Sequence, residues 1–96
     1  MDKQEAEALL RGKLGEYRVL PYSELAARID TGDYCTVPGA SSPEYQLEIQ
    51  IFWDDDAGKN VRVIGSIDDG GLRAFFPLTY SFIMAPDGTF VGEGSA

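Results

Sequence analysis

Histidine is absent from the 96-residue chain, and cysteine occurs once, at Cys35. Without histidine, Cys35 and the serines lack the usual base of a nucleophilic triad. One cysteine and no histidine also exclude a structural zinc site, and a lone cysteine forms no internal disulfide. The glycines show neither phosphate-loop nor dinucleotide-binding spacing. We therefore expect no catalytic residue, no metal ligand and no cofactor, and hence a protein that is not an enzyme.

Basic residues are also scarce, with 8 Lys and Arg against 16 Asp and Glu, a net charge of -8. Residues 44–96 hold nine acidic and three basic residues, so most of the excess lies there. Such a field repels the phosphates of nucleic acids and anionic membranes. No apolar run approaches the roughly 20 residues of a membrane span, and the charged opening is unlike a secretory signal. We expect a cytoplasmic protein that binds neither nucleic acid nor membrane.

Two amphipathic helices are predicted at the start of the chain. Asp2 and Glu5 have the spacing of a capping pair, and apolar residues spaced by three and four predict a helix over about 3–14, ended by Gly15. Residues 17–19 follow as an edge strand or a linker. Pro21 suits a helix start, and the same periodicity predicts a second helix over about 21–30.

The rest of the chain is rich in strands. Residues 44–53 alternate strictly between apolar and polar, which is the pattern of a half-buried strand. Turn signals separate this strand from its neighbours. The predicted strands cover about 33–37, 44–53, 60–67, 72–84 with a kink at Pro77, and 89–92. We predict a single α+β domain over 1–96, with both helices packed on one face of a mostly antiparallel, four- to five-stranded meander sheet.

Residue parity along the strands predicts an apolar stripe on the outer face of this sheet. That face should be polar, yet it carries large apolar side chains on successive strands, namely Phe52, Ile64, Phe75 and Ile83. Neighbouring strands lie about 4.8 Å apart, so the four side chains can form a patch of the kind that marks an interface. A bulge at Pro77 would move Ile83 to the other face, and single exposed apolar residues are common. The leading hypothesis is a binding or regulatory domain that uses this stripe for a homodimer or a protein partner.

Two alternatives remain open. The acidic turns at Asp54, Asp55, Asp56 and Asp87 would suit an inhibitor or immunity-like protein that captures a basic partner. Their spacing does not match a calcium loop. The second alternative is a small-ligand pocket or a carboxylate-dependent enzyme, with a buried carboxylate among aromatic side chains such as Tyr17, Tyr22, Trp53 and Tyr80.

Overall fold

The structure is a computed structural model, and it describes residues 2–39, 44–70 and 77–93. Within these ranges, two helices precede four strands. The elements are α1 (Lys3–Arg18), α2 (Tyr22–Ala27), β1 (Gly32–Val37), β2 (Tyr45–Trp53), β3 (Val61–Asp68) and β4 (Leu78–Met84). Both helices pack on one face of the sheet, so the protein has the predicted α+β arrangement with N-terminal helices.

Helix α1 begins as the sequence predicts and ends later. The side chain of Asp2 caps it by accepting a hydrogen bond from the Glu5 backbone N–H at 3.1 Å. The prediction that Gly15 ends the helix is wrong, because α1 continues to Arg18. The buried stripe continues from Leu14 to Tyr17, three residues on, and burial of the tyrosine against the sheet outweighs the low helix propensity of glycine.

Helix α2 is shorter than predicted, ending at Ala27 instead of near Asp30, with Pro21 as its N-cap residue. Asp30 adopts a positive φ of 64°. Its backbone N–H donates to the Ile51 carbonyl at 2.8 Å. Pairing with β2 therefore competes with the last helical turn, and it leads the chain directly into β1.

The four strands form an antiparallel meander in the order β1-β2-β3-β4. Trp53 pairs with Val61 at the closed end of the β2–β3 hairpin, and Val61 pairs with Met84 of β4. Alternate residues of β2 and β3 point towards the helices and are buried. The buried core comprises Ala6, Leu10, Leu14, Tyr17, Leu25, Tyr45, Leu47, Ile49, Ile51, Val61, Val63, Ile67, Phe82 and Met84.

Gly65 sets the closest approach of α1 to the sheet. It lies on the core face of β3, where an added Cβ would come within 2.8 Å of Leu10 Cδ1 and 3.1 Å of Leu14 Cδ2. A side chain at this position would therefore push α1 away from the sheet. The glycine lets two leucines of the helix settle directly on the β3 backbone.

The last strand of the described residues begins at Leu78, directly after Pro77. Residues 72–76 lie outside the described residues, and so does the chain on the N-terminal side of the predicted kink at Pro77. From Leu78 onwards the parity is as predicted, with Phe82 and Met84 buried and Ile83 on the opposite face. Residues 89–92 do not form the predicted strand in this structure. A single bridge joins Phe90 to Met84, and a turn follows in which Gly92 has a φ of 82°.

Candidate binding face

The face of the sheet that carries neither helix is called here the open face. Its residues alternate with the buried ones, and strand pairing arranges them in rows across the sheet. One row runs from Phe52 through Arg62 to Ile83. The adjacent row runs from Gln50 through Ile64 to Ser81, and it lies farther from the β2–β3 turn.

Three of the four residues of the predicted stripe lie together on this face. Phe52, Ile64 and Ile83 are all half-buried and are called here the apolar trio. They surround Arg62, with Phe52 and Ile83 on either side of it and Ile64 two residues further along β3. Among the described residues, the trio therefore forms a triangle with Arg62 between two of its corners. The fourth residue, Phe75, lies outside the described residues.

An ion pair neutralises Arg62, which lies between Phe52 and Ile83. Arg62 Nε lies 2.8 Å and its Nη2 lies 2.7 Å from Asp54 Oδ1. Both side chains are more than half buried, with relative exposures of 34% for Arg62 and 21% for Asp54. The ion pair holds the Arg62 guanidinium towards the β2–β3 turn. The methylene groups of the Arg62 side chain therefore add to the apolar surface.

A depression lies beside Phe52. Its volume is about 270 Å³, and it is lined by Asp30, Thr31, Gly32, Gln50, Ile51 and Phe52. Gly32 pairs with Gln50, so a side chain there would point onto the open face. The absence of that side chain leaves room next to the Phe52 ring, where a partner could insert a side chain.

Elsewhere on the open face, the described side chains are mostly polar, and several of them bond to one another. The Tyr34 hydroxyl donates to Gln46 Oε1. Gln50 Nε2 donates to Glu48 Oε1 at 2.7 Å. These bonds hold a polar surface beside the apolar trio, which is the arrangement of an interface centre with a polar rim.

The acidic turns lie at the same end of the sheet as the trio. Asp54, Asp55 and Asp56 follow β2, and Asp87 follows β4. Because β2 and β4 run in the same direction, both turns leave the sheet at the end of the row that contains Phe52. The strands are two apart, so the turns are separated by about 10 Å. The two residue sets that the sequence suggested as separate surfaces are therefore neighbours.

Asp87 is held in its turn by Thr89. Its Oδ1 accepts from Thr89 Oγ1 at 2.6 Å and from the Thr89 backbone N–H at 3.0 Å. These hydrogen bonds, from the side chain first and then the backbone, lower the pKa of Asp87. Lys59 Nζ lies 3.9 Å from Asp56 Oδ2. In the described ranges, no three cysteine or carboxylate side chains are grouped so as to hold a metal ion.

The residues proposed for an enzyme pocket are dispersed. Tyr17 lines a depression near Asp33, whereas Tyr80 lies in a groove beside α1. Tyr22 donates its hydroxyl to the Lys59 carbonyl at 2.6 Å, and Trp53 packs at the margin of the core. Within the described residues, no charged side chain is buried.

Sequence reasoning gave no role to two features. Arg62 alternates with the buried residues of β3 and so lies on the open face, but its position between Phe52 and Ile83 follows only from strand register. The depression at Gly32 depends on pairing between β1 and β2. A glycine in a strand was the available signal, because it often marks a close approach or an unfilled space.

Comparisons with protein-family models, with curated proteins and with solved structures find no match. The helices of the described residues include none with the length and apolar character needed to cross a membrane.

Proposed function

We propose that this chain is a non-enzymatic binding domain whose open face holds a protein partner. The partner surface has apolar side chains at its centre and Lys or Arg around them. The observation that supports this most strongly is the position of the apolar trio directly beside the acidic turns, on the face that carries neither helix.

The apolar trio supplies the centre of the interface. Large apolar and aromatic side chains contribute most of the binding energy when a partner excludes water from them. Phe52 has a depression of about 270 Å³ next to its ring, which allows a partner side chain to pack against its edge. The Arg62–Asp54 pair is already satisfied within the chain, so covering the trio leaves no unpaired charge at its centre.

Charge favours a basic partner over a second copy of this chain. Two copies that met through this face would bring together the carboxylates of both sets of acidic turns, with -8 on each chain. Like charges that face each other across an interface oppose association, whereas a ring of Lys and Arg on a partner would be attracted. Most of the excess acidic charge lies in residues 44–96, which supply three of the four strands, namely β2, β3 and β4.

The experiment is a capture assay on lysate of the native cells with three immobilised forms of the protein. These are the unmodified chain, Phe52→Glu and Val19→Glu. Val19 is 81% exposed and lies outside the sheet, so its variant is a matched control for adding a charge at an apolar surface residue. Circular dichroism of each form checks that it is folded.

The expected result is a basic protein that the unmodified chain and Val19→Glu retain and Phe52→Glu loses, with affinity lowered at least about tenfold. Its binding should weaken with added salt and with the double change Asp55→Asn and Asp56→Asn. Equal capture by Phe52→Glu would contradict the proposal. A dimer in sedimentation that Phe52→Glu dissociates would show that a second copy occupies the face instead.

A further inference from the structure

A separate groove lies between α1 and the outer edge of β4. Its volume is about 390 Å³. The lining residues are Arg11, Leu14, Arg18, Tyr80, Ser81, Phe82 and Glu93. Tyr80 and Phe82 belong to the helix-bearing side of the sheet, so the groove is distinct from the open face. A helix forms one wall, and a strand forms the floor.

In the described part of the sheet, β4 is an edge strand with unused backbone groups. The Ile83 carbonyl points outwards, because it accepts a hydrogen bond of 2.8 Å from the Val91 backbone N–H. Strand geometry directs the backbone groups of every second residue to the same side, so those of Ser81 and Thr79 also point outwards. Gly92 follows with a positive φ of 82°. Among the described residues, no backbone group pairs with these two on the outer side.

A carboxylate already occupies the end of the groove. Arg18 donates to both oxygens of Glu93, with Nη2 2.6 Å from Oε1 and Nη1 2.8 Å from Oε2. The guanidinium carbon of Arg18 also lies 4.0 Å from the ring centroid of Phe90 and 5.3 Å from that of Phe82. The hydrogen bond from Arg18 lowers the pKa of Glu93, which stays ionised. Arg18 is thus held by two rings in an orientation that binds a carboxylate through both oxygens.

Two arginines line the groove of an otherwise acidic protein, and each is paired with a glutamate of this chain. The second arginine, Arg11, lies with its guanidinium carbon 4.9 Å from the ring centroid of Tyr80 and pairs with Glu7 at 3.0 Å. The two arginines are a quarter of the 8 basic residues of a chain with 16 acidic ones. They lie beside the backbone groups of Ser81 and Thr79, which have no outer partner among the described residues, so a carboxylate contact and strand pairing can occur together.

We propose that this groove binds an extended acidic peptide, which adds to β4 as a new strand and places a Glu or Asp side chain on Arg18 in place of Glu93. Backbone hydrogen bonds to Ser81 and Thr79 would supply strand pairing. Side chains of the added strand that point towards α1 would lie over Tyr80 and between the two arginines. Glu93 then acts as an internal competitor that keeps the site closed to weak ligands.

The probe is a pair of peptide pools with blocked termini, about seven residues long and rich in Val and Thr, as suits a short strand. One pool has a central Glu and the other a central Gln. Amide chemical shifts and hydrogen exchange of the labelled protein report binding. The Glu pool should shift and protect the Ser81 and Thr79 amides, and the Gln pool should bind at least about tenfold more weakly.

Three variants test the separate parts of the site. Ser81→Pro removes the outward N–H and should abolish protection of the Thr79 amide, whereas Ser81→Ala retains that N–H and should bind as the unmodified chain does. Arg18→Gln should remove the preference for Glu over Gln. Glu93→Gln should tighten binding of the Glu pool severalfold, because the internal competitor is weakened.

Several outcomes would overturn the proposal. These are no shift at Ser81 and Thr79 with either pool, equal binding of both pools, or weaker binding of the Glu pool by Glu93→Gln. A dimer that Ser81→Pro breaks would assign the edge to a second copy. If Ser81→Pro does not fold, binding of the two peptide pools by Arg18→Gln and Glu93→Gln tests the proposal instead. None of these results depends on Phe52, so they leave the proposal for the open face independent.

Discussion

Arg62 and Asp54 form an ion pair in which two guanidinium nitrogens approach one carboxylate oxygen, at 2.8 and 2.7 Å. The pair lies between the apolar trio and the first acidic turn. It therefore connects the two surfaces that the sequence suggested as alternatives. Its partial burial sets it apart from the other ion pairs on the helices and turns, which are more exposed.

A double-mutant cycle on this pair should give a measurable coupling energy. We expect Asp54→Asn and Arg62→Gln to be coupled by about 0.5–1 kcal/mol, since partial burial reduces screening by water. The matched control is the exposed pair Glu24–Arg28, with 3.9 Å between charged atoms, where coupling should be below about 0.5 kcal/mol. Urea denaturation measures all the variants, and equal coupling in the two pairs would contradict the expectation.

Gly65, which faces α1, and Gly12, which faces solvent, should respond oppositely to an added methyl group. Gly65→Ala should destabilise the protein by about 1–3 kcal/mol, because its Cβ would meet Leu10 Cδ1 at 2.8 Å. Gly12→Ala should stabilise it by about 0.5–1 kcal/mol, since that position in α1 has nothing within 4 Å and alanine favours helix. Thermal and urea unfolding measure both. A Gly65→Ala protein as stable as the unmodified chain would show that α1 adjusts freely.

The contact between Tyr17 and Asp33 should make stability depend on pH at both extremes. The Tyr17 hydroxyl donates to Asp33 Oδ2 at 3.0 Å, and Lys13 Nζ lies 3.3 Å from the same oxygen. The hydrogen bond from Tyr17, followed by that from Lys13, lowers the pKa of Asp33 from its ordinary 3.8. Burial, followed by the bond to Asp33, raises the pKa of Tyr17 above 10.0.

The sign follows from these directions. The lowered pKa of Asp33 contributes stability above pH 3.8 that is lost as the pH falls through its folded value. The raised pKa of Tyr17 contributes stability below pH 10.0 that is lost as the pH rises through its folded value. Tyr17→Phe should cost about 1 kcal/mol near neutral pH and flatten both losses. Tyr34→Phe, at a tyrosine that is 62% exposed, is the control for loss of a hydroxyl and should leave the loss of stability at low pH in place.

Local sequence patterns predict much of the fold. The alternation in β2 places Tyr45, Leu47, Ile49 and Ile51 in the core, and Asp2 caps α1 as its spacing with Glu5 indicates. These features depend on residues a few positions apart, so they can be read from a short window. The helix ends could not be read in this way. Burial of Tyr17 extends α1, and pairing of Asp30 with Ile51 shortens α2.

Composition and residue periodicity are sufficient to predict the α+β class, the acidic charge and the position of Phe52 and Ile64 on the outer face. The positions of Ile83 on that face and of Arg62 between Phe52 and Ile83 follow from the three-dimensional structure, as does the contact of Glu93 with Arg18 across 75 positions of the chain. The physical reason is that side-chain direction follows from the local backbone period. Lateral neighbours, in contrast, are set by strand register and by packing of α1, which depend on residues far apart in sequence.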